Sequence, residues 1–161
     1  MNIQRFDDEH ALSAALATYV LDTIVARPTL VLGLPTGRTP LGLYRQLRER
    51  SGRTAIDWSR VRTFNLDEFA GLDPGDPRSY RAYMRAELFD HTAIDPASIG
   101  FLNGAAPNLA EECRRYDEAI AAAGGIDLQV LGIGANGHIG FNEPALGLCA
   151  HTHVADLTQE T

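Results

Sequence analysis

Residues 29–47 read TLVLGLPTGRTPLGLYRQL, and this stretch decides the class of fold. Its first part, residues 29–34, is a short apolar run of the kind that forms a buried parallel strand. A turn follows over residues 35–40, and the apolar spacing beyond it predicts a helix with Pro40 in its favourable first turn. A buried strand, a turn and a helix in this order form the repeating unit of an α/β sheet.

The same alternation of strands and helices continues along the chain. Apolar spacing and capping residues predict a helix over 8–26, a helix capped by Ser79 through Leu88, a helix from Asn108 to Gly124-Gly125, and strands over 60–66, 99–102, 126–133 and from His151 to Leu157. We therefore expect a Rossmann-like α/β fold, with an open, mostly parallel sheet and helices on both faces. Because no repeat or linker interrupts the pattern, residues 1–161 are expected to form a single domain.

The composition excludes several classes of protein. Of the 161 residues, 45% are hydrophobic and 22% are charged, which is near the globular average and excludes disordered and fibrous chains. The net charge of -7 and the pI of about 5.1 disfavour binding to nucleic acid or to an anionic membrane, so neither is expected as a partner. All 14 basic residues are arginine, and a chain without lysine cannot form a Schiff base.

The cysteines and the N-terminus indicate the compartment. Cys113 and Cys149 are too few and too far apart for a disulfide framework or a zinc site. The first residues, MNIQR, lack a signal-peptide pattern, and no apolar run reaches membrane-spanning length. We expect a cytoplasmic location.

Ligands of open α/β sheets bind at the carboxyl ends of the strands, and the first unusual strand end is the 35–40 turn, PTGRTP. Gly37 allows a close approach of the backbone, and free N–H groups at a helix start attract anions. Thr36 and Thr39 add hydroxyl groups, and Arg38 adds a positive charge. The turn is either a small phosphate site or an ordinary connection; it is not a Walker loop, since the Gly-Lys-Ser/Thr ending is missing.

The second unusual strand end, residues 64–69 (FNLDEF), places two adjacent carboxylates where a buried strand reaches the surface. A carboxylate at such a point is partly desolvated, so its pKa can rise towards the range of a general base. Since neighbours on an extended chain point in opposite directions, only one of Asp67 and Glu68 is expected to face the site. Solvated surface charge is the alternative interpretation.

The third is the 132–144 loop, GIGANGHIGFNEP, in which four glycines among residues 132–140 exclude a regular helix. It carries Asn136, His138 and Glu143, and a histidine near a carboxylate is a standard arrangement for general acid/base chemistry.

Two other motifs favour different ligands. The spacing of Gly132, Gly134 and Gly137 matches a dinucleotide fingerprint, but the helix that should follow is interrupted, so nucleotide binding is disfavoured. His151 and His153 could share one face of a strand and bind a metal. No third ligand has suitable spacing, so we interpret them as surface or strand histidines and expect no metal.

Together and in this order, residues 32–40 (LGLPTGRTP), 64–72 (FNLDEFAGL) and 132–144 resemble the glucosamine-6-phosphate deaminase/isomerase family. The resemblance extends over nearly the whole chain and includes a Ser-Tyr pair at Ser79. Its most specific segment is GHIGFNEP, residues 137–144. The related phosphogluconolactonases share the sheet and a Gly-His turn but continue differently.

The resemblance implies that glucosamine 6-phosphate and water become fructose 6-phosphate and ammonium through an enediol-type intermediate. It implies that Asp67 moves a proton between C2 and C1, that His138 helps to open the pyranose ring, and that Glu143 orients and charge-tunes the imidazole. Asn136 belongs to the same catalytic set. The residues expected to hold the substrate and its phosphate are Pro35, Thr36, Gly37, Arg38, Thr39 and Gly137. No cofactor is expected.

Some positions depart from the family pattern. Asn136 stands where some members have aspartate, so His138 has one negative partner fewer. Arg38 replaces what is often a small residue, and His151 stands where arginine is common, which weakens any inference about allosteric regulation.

Family members also continue beyond the length of this chain, with a lid segment and further strands and helices that bring an arginine and a lysine to the phosphate. The sequence therefore predicts a C-terminally shortened domain with an exposed sheet edge, which favours a homo-oligomer. Three functions follow: an active deaminase/isomerase, a sugar-phosphate-binding domain without turnover, or a 6-phosphogluconolactonase-like hydrolase. Ammonia release, ligand-induced stabilisation alone, and acid release from a lactone distinguish them.

Overall fold

The computed structural model describes residues 2–53, 56–147 and 149–157. Its helices are α1 (Glu9–Ala26), α2 (Leu41–Arg53), α3 (Tyr80–Glu87) and α4 (Leu109–Ala122). Its strands are β1 (Val31–Leu34), β2 (Arg62–Asn65), β3 (Ile99–Gly100) and β4 (Leu128–Gln129). Two 3₁₀ helices, Phe89–His91 and Pro96–Ser98, lie between α3 and β3.

The strands form one parallel sheet in the order β3-β2-β1-β4. In the register of its central pair, Leu34 of β1 lies opposite Asn65 of β2. The predicted α/β fold with a parallel sheet is confirmed.

Helices cover both faces of the sheet, also as predicted. Leu32 and Leu34 of β1 point into a core shared with α1 and α2, and both are fully buried. Val31, which alternates with them, packs with Tyr116 of α4 on the other face. Phe64 of β2 joins that second cluster, with its ring 5.6 Å from the ring of Tyr116. Alternation along a strand buried on both sides explains why β1 is apolar at every position.

Side-chain caps define the starts of three helices. Asp8 accepts a hydrogen bond from the N–H of Ala11 at 2.7 Å and so begins α1. The two caps predicted from the sequence are also present: Ser79 accepts from the N–H of Ala82 at α3, and Asn108 accepts from the N–H of Glu111 at α4. Each cap satisfies a backbone donor that the helix itself leaves unpaired.

α1 is apolar around much of its circumference. Val20 and Ile24 are buried against the sheet, whereas Leu12, Tyr19 and Val25 remain exposed. In the described ranges, none of the helices combines the length and the apolar character that a membrane span requires.

The structure differs from the sequence-based expectation in two places. The strand predicted over 126–133 is paired only at Leu128–Gln129, because β4 hydrogen-bonds to β1 there and the chain then turns away into the 132–144 loop. The strand predicted from His151 is wrong, since residues 151–157 are irregular. The backbone N–H of Thr152 in that segment donates a hydrogen bond to Asp117 of α4 at 3.1 Å. The segment is therefore held by a helix and does not pair with the sheet. Residues 158–161 lie outside the described ranges.

We expect Leu32→Ala to lower the free energy of unfolding by about 2–5 kcal/mol, because it leaves a cavity at the centre of β1. Leu131→Ala removes the same atoms from a side chain that is 48% exposed and serves as the matched control, with an expected loss below about 1 kcal/mol. Urea denaturation at neutral pH measures both. Equal losses would contradict the placement of the core.

Candidate active site

The pairing of β1 with β2 brings the first two unusual strand ends together. The N–H of Leu66 donates to the carbonyl of Leu34 at 3.1 Å, which continues the register one residue beyond the strands. Just past this point, the Thr36 hydroxyl donates to Oδ1 of Asp67 at 3.2 Å. The 35–40 turn and Asp67 are therefore neighbours.

Asp67 carries a buried carboxyl group whose pKa is raised. Burial raises its pKa to about 6, the hydrogen bond from Thr36 acts in the opposite direction, and the charge of Glu68 raises it further. A carboxyl group that titrates near this value exchanges a proton readily at neutral pH. The sequence-based expectation of a raised pKa at this strand end is confirmed.

Glu68 faces away from Asp67 and serves the fold. Its carboxylate accepts hydrogen bonds from the N–H groups of Tyr80 at 2.9 Å and Arg81 at 3.0 Å, at the start of α3. A carboxylate there also interacts favourably with the helix dipole. Asp67 and Glu68 both line the cavity described below, so the expectation that only one of the two carboxylates faces the site stays a prediction; Glu68 anchors α3 beside Asp67.

Three tyrosines hold the 35–40 turn from behind. The hydroxyl of Tyr44 donates to the carbonyl of Pro35, and that of Tyr83 donates to the carbonyl of Gly37 at 2.6 Å. The Tyr80 phenol lies beside the Thr36 hydroxyl, and this interaction lowers the pKa of Tyr80 against the larger effect of burial. The carbonyl groups on either side of Thr36 are thus fixed by side chains of α2 and α3.

This clamp orients the backbone N–H groups of the turn. In a trans peptide the carbonyl and the following N–H point in opposite directions, so the N–H groups of Thr36 and Arg38 point away from the tyrosines. Across the described ranges, no acceptor is hydrogen-bonded to an N–H group of residues 36–39. Consecutive N–H groups without an acceptor are suited to an anion, and we call the N–H groups of residues 36–39 the N–H cradle.

In the 132–144 loop an amide lies between a carboxylate and the imidazole. Nδ2 of Asn136 donates to Oε2 of Glu143 at 2.9 Å, and Oδ1 of Asn136 is 2.8 Å from Nδ1 of His138. The sequence suggested a histidine held by a carboxylate; the structure inserts Asn136 into that connection.

The orientation of Asn136 determines the tautomer of His138. Since the amide nitrogen is directed at the Glu143 carboxylate, the amide oxygen faces the imidazole and requires a proton on Nδ1. In the neutral ring Nε2 is then unprotonated and able to accept a proton.

Two glycines bring the loop into place. A side chain on Gly134 would collide with the His138 ring, whose Cε1 lies 2.2 Å from the Cβ position. Gly140 has a φ of +58°, and an added Cβ would lie 3.0 Å from Oδ2 of Asp67. The backbone of the loop therefore reaches Asp67 itself.

An aromatic cluster fixes the loop against the second strand end. The ring of Phe141 lies 5.0 Å from that of Phe69 and 5.7 Å from that of Tyr80. The Phe69 and Tyr80 rings are 4.7 Å apart, so the three side chains join the loop, the strand end and α3. Such contacts stabilise beyond the burial of their area.

Asp67 also lines a cavity of about 390 Å³. Residues 149–155 form one wall, and Asp117 holds that wall through Thr152, whose hydroxyl is 2.5 Å from Oδ1. His151 bonds the same carboxylate at 3.2 Å, and Nδ1 of His153 is 2.9 Å from the His151 carbonyl. Neither histidine belongs to a cluster that could hold a metal ion, and none was found within the ranges that the structure describes.

Of the remaining predicted site residues, Arg38 and Thr39 are exposed at the mouth of the 35–40 turn, and Gly137 lies in the turn that presents His138. Sequence reasoning missed Tyr44, Tyr80 and Tyr83 as supports of the turn, because their spacing matched apolar helix positions. The available signal was a tyrosine, with its hydroxyl, at three positions where leucine would also fill the core.

An open parallel α/β sheet with helices on both faces defines a Rossmann-like fold, and in such folds the carboxyl ends of the strands are the usual place for a ligand. A family model described as glucosamine-6-phosphate isomerases/6-phosphogluconolactonase matches residues 7–141. The chain belongs to this family.

Relatives and solved structures agree with this assignment. The chain is 51% identical over 150 residues to the glucosamine-6-phosphate deaminase of Thermoanaerobacter sp. (strain X514). It is 46% identical over 161 residues to that of Bacillus pumilus (strain SAFR-032). A solved monomeric glucosamine-6-phosphate deaminase superposes with a TM-score of 0.95 at 42% identity, over 99% of this chain and 66% of its own.

A 6-phosphogluconolactonase from Thermotoga maritima has a TM-score of 0.70 at 21% identity, over 86% of this chain and 62% of its own, and shares the fold alone. The alignment with the Thermoanaerobacter relative covers 93% of this chain, and the alignment with the Bacillus relative covers 100%. The chain spans 59% of the length of the first and 67% of that of the second.

The raised pKa of Asp67 predicts a pH-dependent gain in stability for Asp67→Asn. The native state binds this proton more tightly than the unfolded chain, so the native protein loses stability as the pH rises from about 4 to 6. The amide removes that cost. We expect a gain of roughly 1–3 kcal/mol at pH 8 that vanishes near pH 4.

Urea denaturation at the two pH values measures the gain. The matched control is Asp22→Asn, at an exposed carboxylate on α1. A variant less stable than the parent at pH 8 would show that the Asp67 charge is not a cost to the fold.

Proposed function

We propose that this chain carries the reacting groups of a glucosamine-6-phosphate deaminase, which converts glucosamine 6-phosphate and water to fructose 6-phosphate and ammonium. The observation that carries the proposal is the buried carboxyl group of Asp67, with a pKa of about 6, next to an N–H cradle on the same sheet edge. The names of the relatives at 51% and 46% identity support the same reaction.

The geometry suits each step of this chemistry. Ring opening requires a proton to leave the C1 hydroxyl and another to reach the ring oxygen, and Nε2 of His138 is the free nitrogen that exchanges them. Asp67 then removes the C2 proton and returns it to C1, through an enediol-type intermediate. Water replaces the amino group at C2, and ammonium leaves.

The remaining roles follow from the contacts. Asn136 and Glu143 hold the His138 ring in its tautomer. The cradle at 36–39 and the Arg38 guanidinium take the phosphate, with Pro35 and Gly37 held by tyrosines behind it. Gly137 gives the loop its turn at the substrate. The single domain over residues 1–161 and the cytoplasmic location remain predictions that belong to this proposal.

Ammonia release from glucosamine 6-phosphate tests the reaction. The assay uses the 161-residue chain and a chimera in which this chain replaces the aligned segment of the Bacillus pumilus relative, of which it spans 67%. We expect Asp67→Asn to lower kcat by roughly two to four orders of magnitude, because the amide keeps the shape but loses basicity. Asp22→Asn, on the distant face of α1, is the matched control.

Near-normal turnover by the Asp67→Asn chimera would remove the assignment of the base. A chimera that stays inactive while the relative is active would favour a binding domain, which thermal stabilisation by the same ligand then identifies. Acid release from a sugar-phosphate lactone would assign the lactonase reaction instead.

We also propose that a second copy of this chain covers the open edge of the sheet at β4. Ile133, just beyond β4, is 76% exposed, and Leu131 is 48% exposed, which leaves apolar surface beside a strand paired on one side in the described ranges. Light scattering after gel filtration is expected to give twice the 17.5 kDa of the chain.

Ile133→Lys should give the monomer mass, whereas Leu146→Lys, at a fully exposed residue away from β4, should not. A monomer at every concentration, as described for the solved deaminase, would refute the dimer.

A further inference from the structure

Thr36 belongs to both halves of the site. Its backbone N–H is part of the cradle, while its hydroxyl donates to Oδ1 of Asp67 at 3.2 Å. The same hydroxyl also interacts with the Tyr80 phenol, whose pKa it lowers against the larger effect of burial. A hydroxyl has a single proton, so it donates to one acceptor at a time. A phosphate oxygen in the cradle and the Asp67 carboxylate therefore compete for that proton.

Building on the proposed phosphate site, we propose that Thr36 is a positioning residue that changes its acceptor. Its hydroxyl donates to Asp67 while the cradle is empty and turns to a phosphate oxygen when the cradle is filled. Substrate binding thereby releases the carboxylate from its donor at the moment when a base is needed. The base is restrained in the empty enzyme and strengthened in the complex.

Tyr80 lies beside this contact. Burial raises the pKa of Tyr80, so its phenol stays protonated at neutral pH, and the interaction with the Thr36 hydroxyl acts on that pKa in the opposite direction. Rotation of the Thr36 proton alone changes the acceptor, without movement of the turn.

The other groups around Asp67 leave Thr36 as the adjustable contact. Tyr44 from α2, Tyr80 from α3 and Tyr116 from α4 all interact with the Asp67 charge, and burial raises the pKa of each. They are therefore neutral where Asp67 titrates. The adjacent Glu68 charge raises the pKa of Asp67, and the Thr36 hydrogen bond lowers it. Loss of that bond raises the pKa above about 6, and a bound phosphate charge acts in the same direction.

Carbon NMR of the chain labelled at its aspartate carboxyl groups tests the coupling, with the Asp67 signal assigned by its absence in Asp67→Asn. The titration midpoint of Asp67 is measured with the site empty and with saturating inorganic phosphate. The variants are Thr36→Val, Thr36→Ala, Thr36→Ser and, as matched control, Thr23→Val. Thr23 is a threonine of α1 whose hydroxyl donates to the carbonyl of Tyr19 at 2.6 Å and which belongs to neither half of the site.

We expect Thr36→Val and Thr36→Ala to raise the empty-site midpoint by about half to one pH unit, as for the loss of one hydrogen bond. Thr36→Ser and Thr23→Val should keep the parent value. Saturating phosphate should raise the midpoint more in the parent than in the two variants that lack the hydroxyl.

An unchanged empty-site midpoint without the hydroxyl, no response of the parent to phosphate, or equal phosphate shifts in all variants would each overturn the exchange. The measurement needs no turnover. A coupled shift without ammonia release upholds the exchange and counts against the deaminase; ammonia release with equal shifts does the reverse.

Discussion

The parallel pairing of β1 with β2 is the constraint on which the site depends. Leu34 lies opposite Asn65, and the next bond, from Leu66 to Leu34, extends that alignment to the point where both strands end. Because the register is fixed, the residues that follow the two strands must meet, and Thr36 and Asp67 do so at hydrogen-bond distance. A slip of one residue would turn every buried side chain of β1 to the other face, so the core and the site specify the same register.

Backbone groups around Thr36 and Asp67 are hydrogen-bonded on the side that faces α2 and α3, and this leaves the opposite side of the turn open. The hydroxyl groups of Tyr44 and Tyr83 donate hydrogen bonds to carbonyl groups of the turn. The Glu68 carboxylate accepts hydrogen bonds from N–H groups at the start of α3. Among the residues that the structure describes, the N–H donors at 36–39 meet no acceptor, so an anion can bind them. Two neighbouring carboxylates thus have opposite effects on the fold: Glu68 stabilises a helix start, whereas burial of the Asp67 charge has a cost.

The 132–144 loop reaches the same place by a different route. It contributes no strand pairing at the site, and it is held by the packing of Phe141 on Phe69 and Tyr80. An amide has a donor end and an acceptor end. Because the nitrogen of Asn136 donates to Glu143, its oxygen faces the His138 ring. Asn136 therefore defines the tautomer of His138 while it also donates to the Glu143 carboxylate.

Much of the fold followed from local sequence. Continuous apolar runs gave the buried parallel strands, spaced apolar residues gave the helices, and Ser79 and Asn108 marked two helix starts. The raised pKa of Asp67 also followed from local sequence. The residue after a buried strand is still partly buried, and burial raises the pKa of a carboxyl group. Burial and secondary structure repeat every two to four residues, so a single sequence records them.

The partners of these residues were decided by the tertiary structure. Thr36 meets Asp67 across 31 positions, and Tyr83 meets Gly37 across 46. The insertion of Asn136 between Glu143 and His138, and the docking of residues 151–157 on Asp117 in place of a strand, were not visible in the sequence. The sequence by itself determined the class of fold and which segments carry chemistry. Only packing determined which atoms meet, because a contact between distant segments depends on the position of every element that separates them.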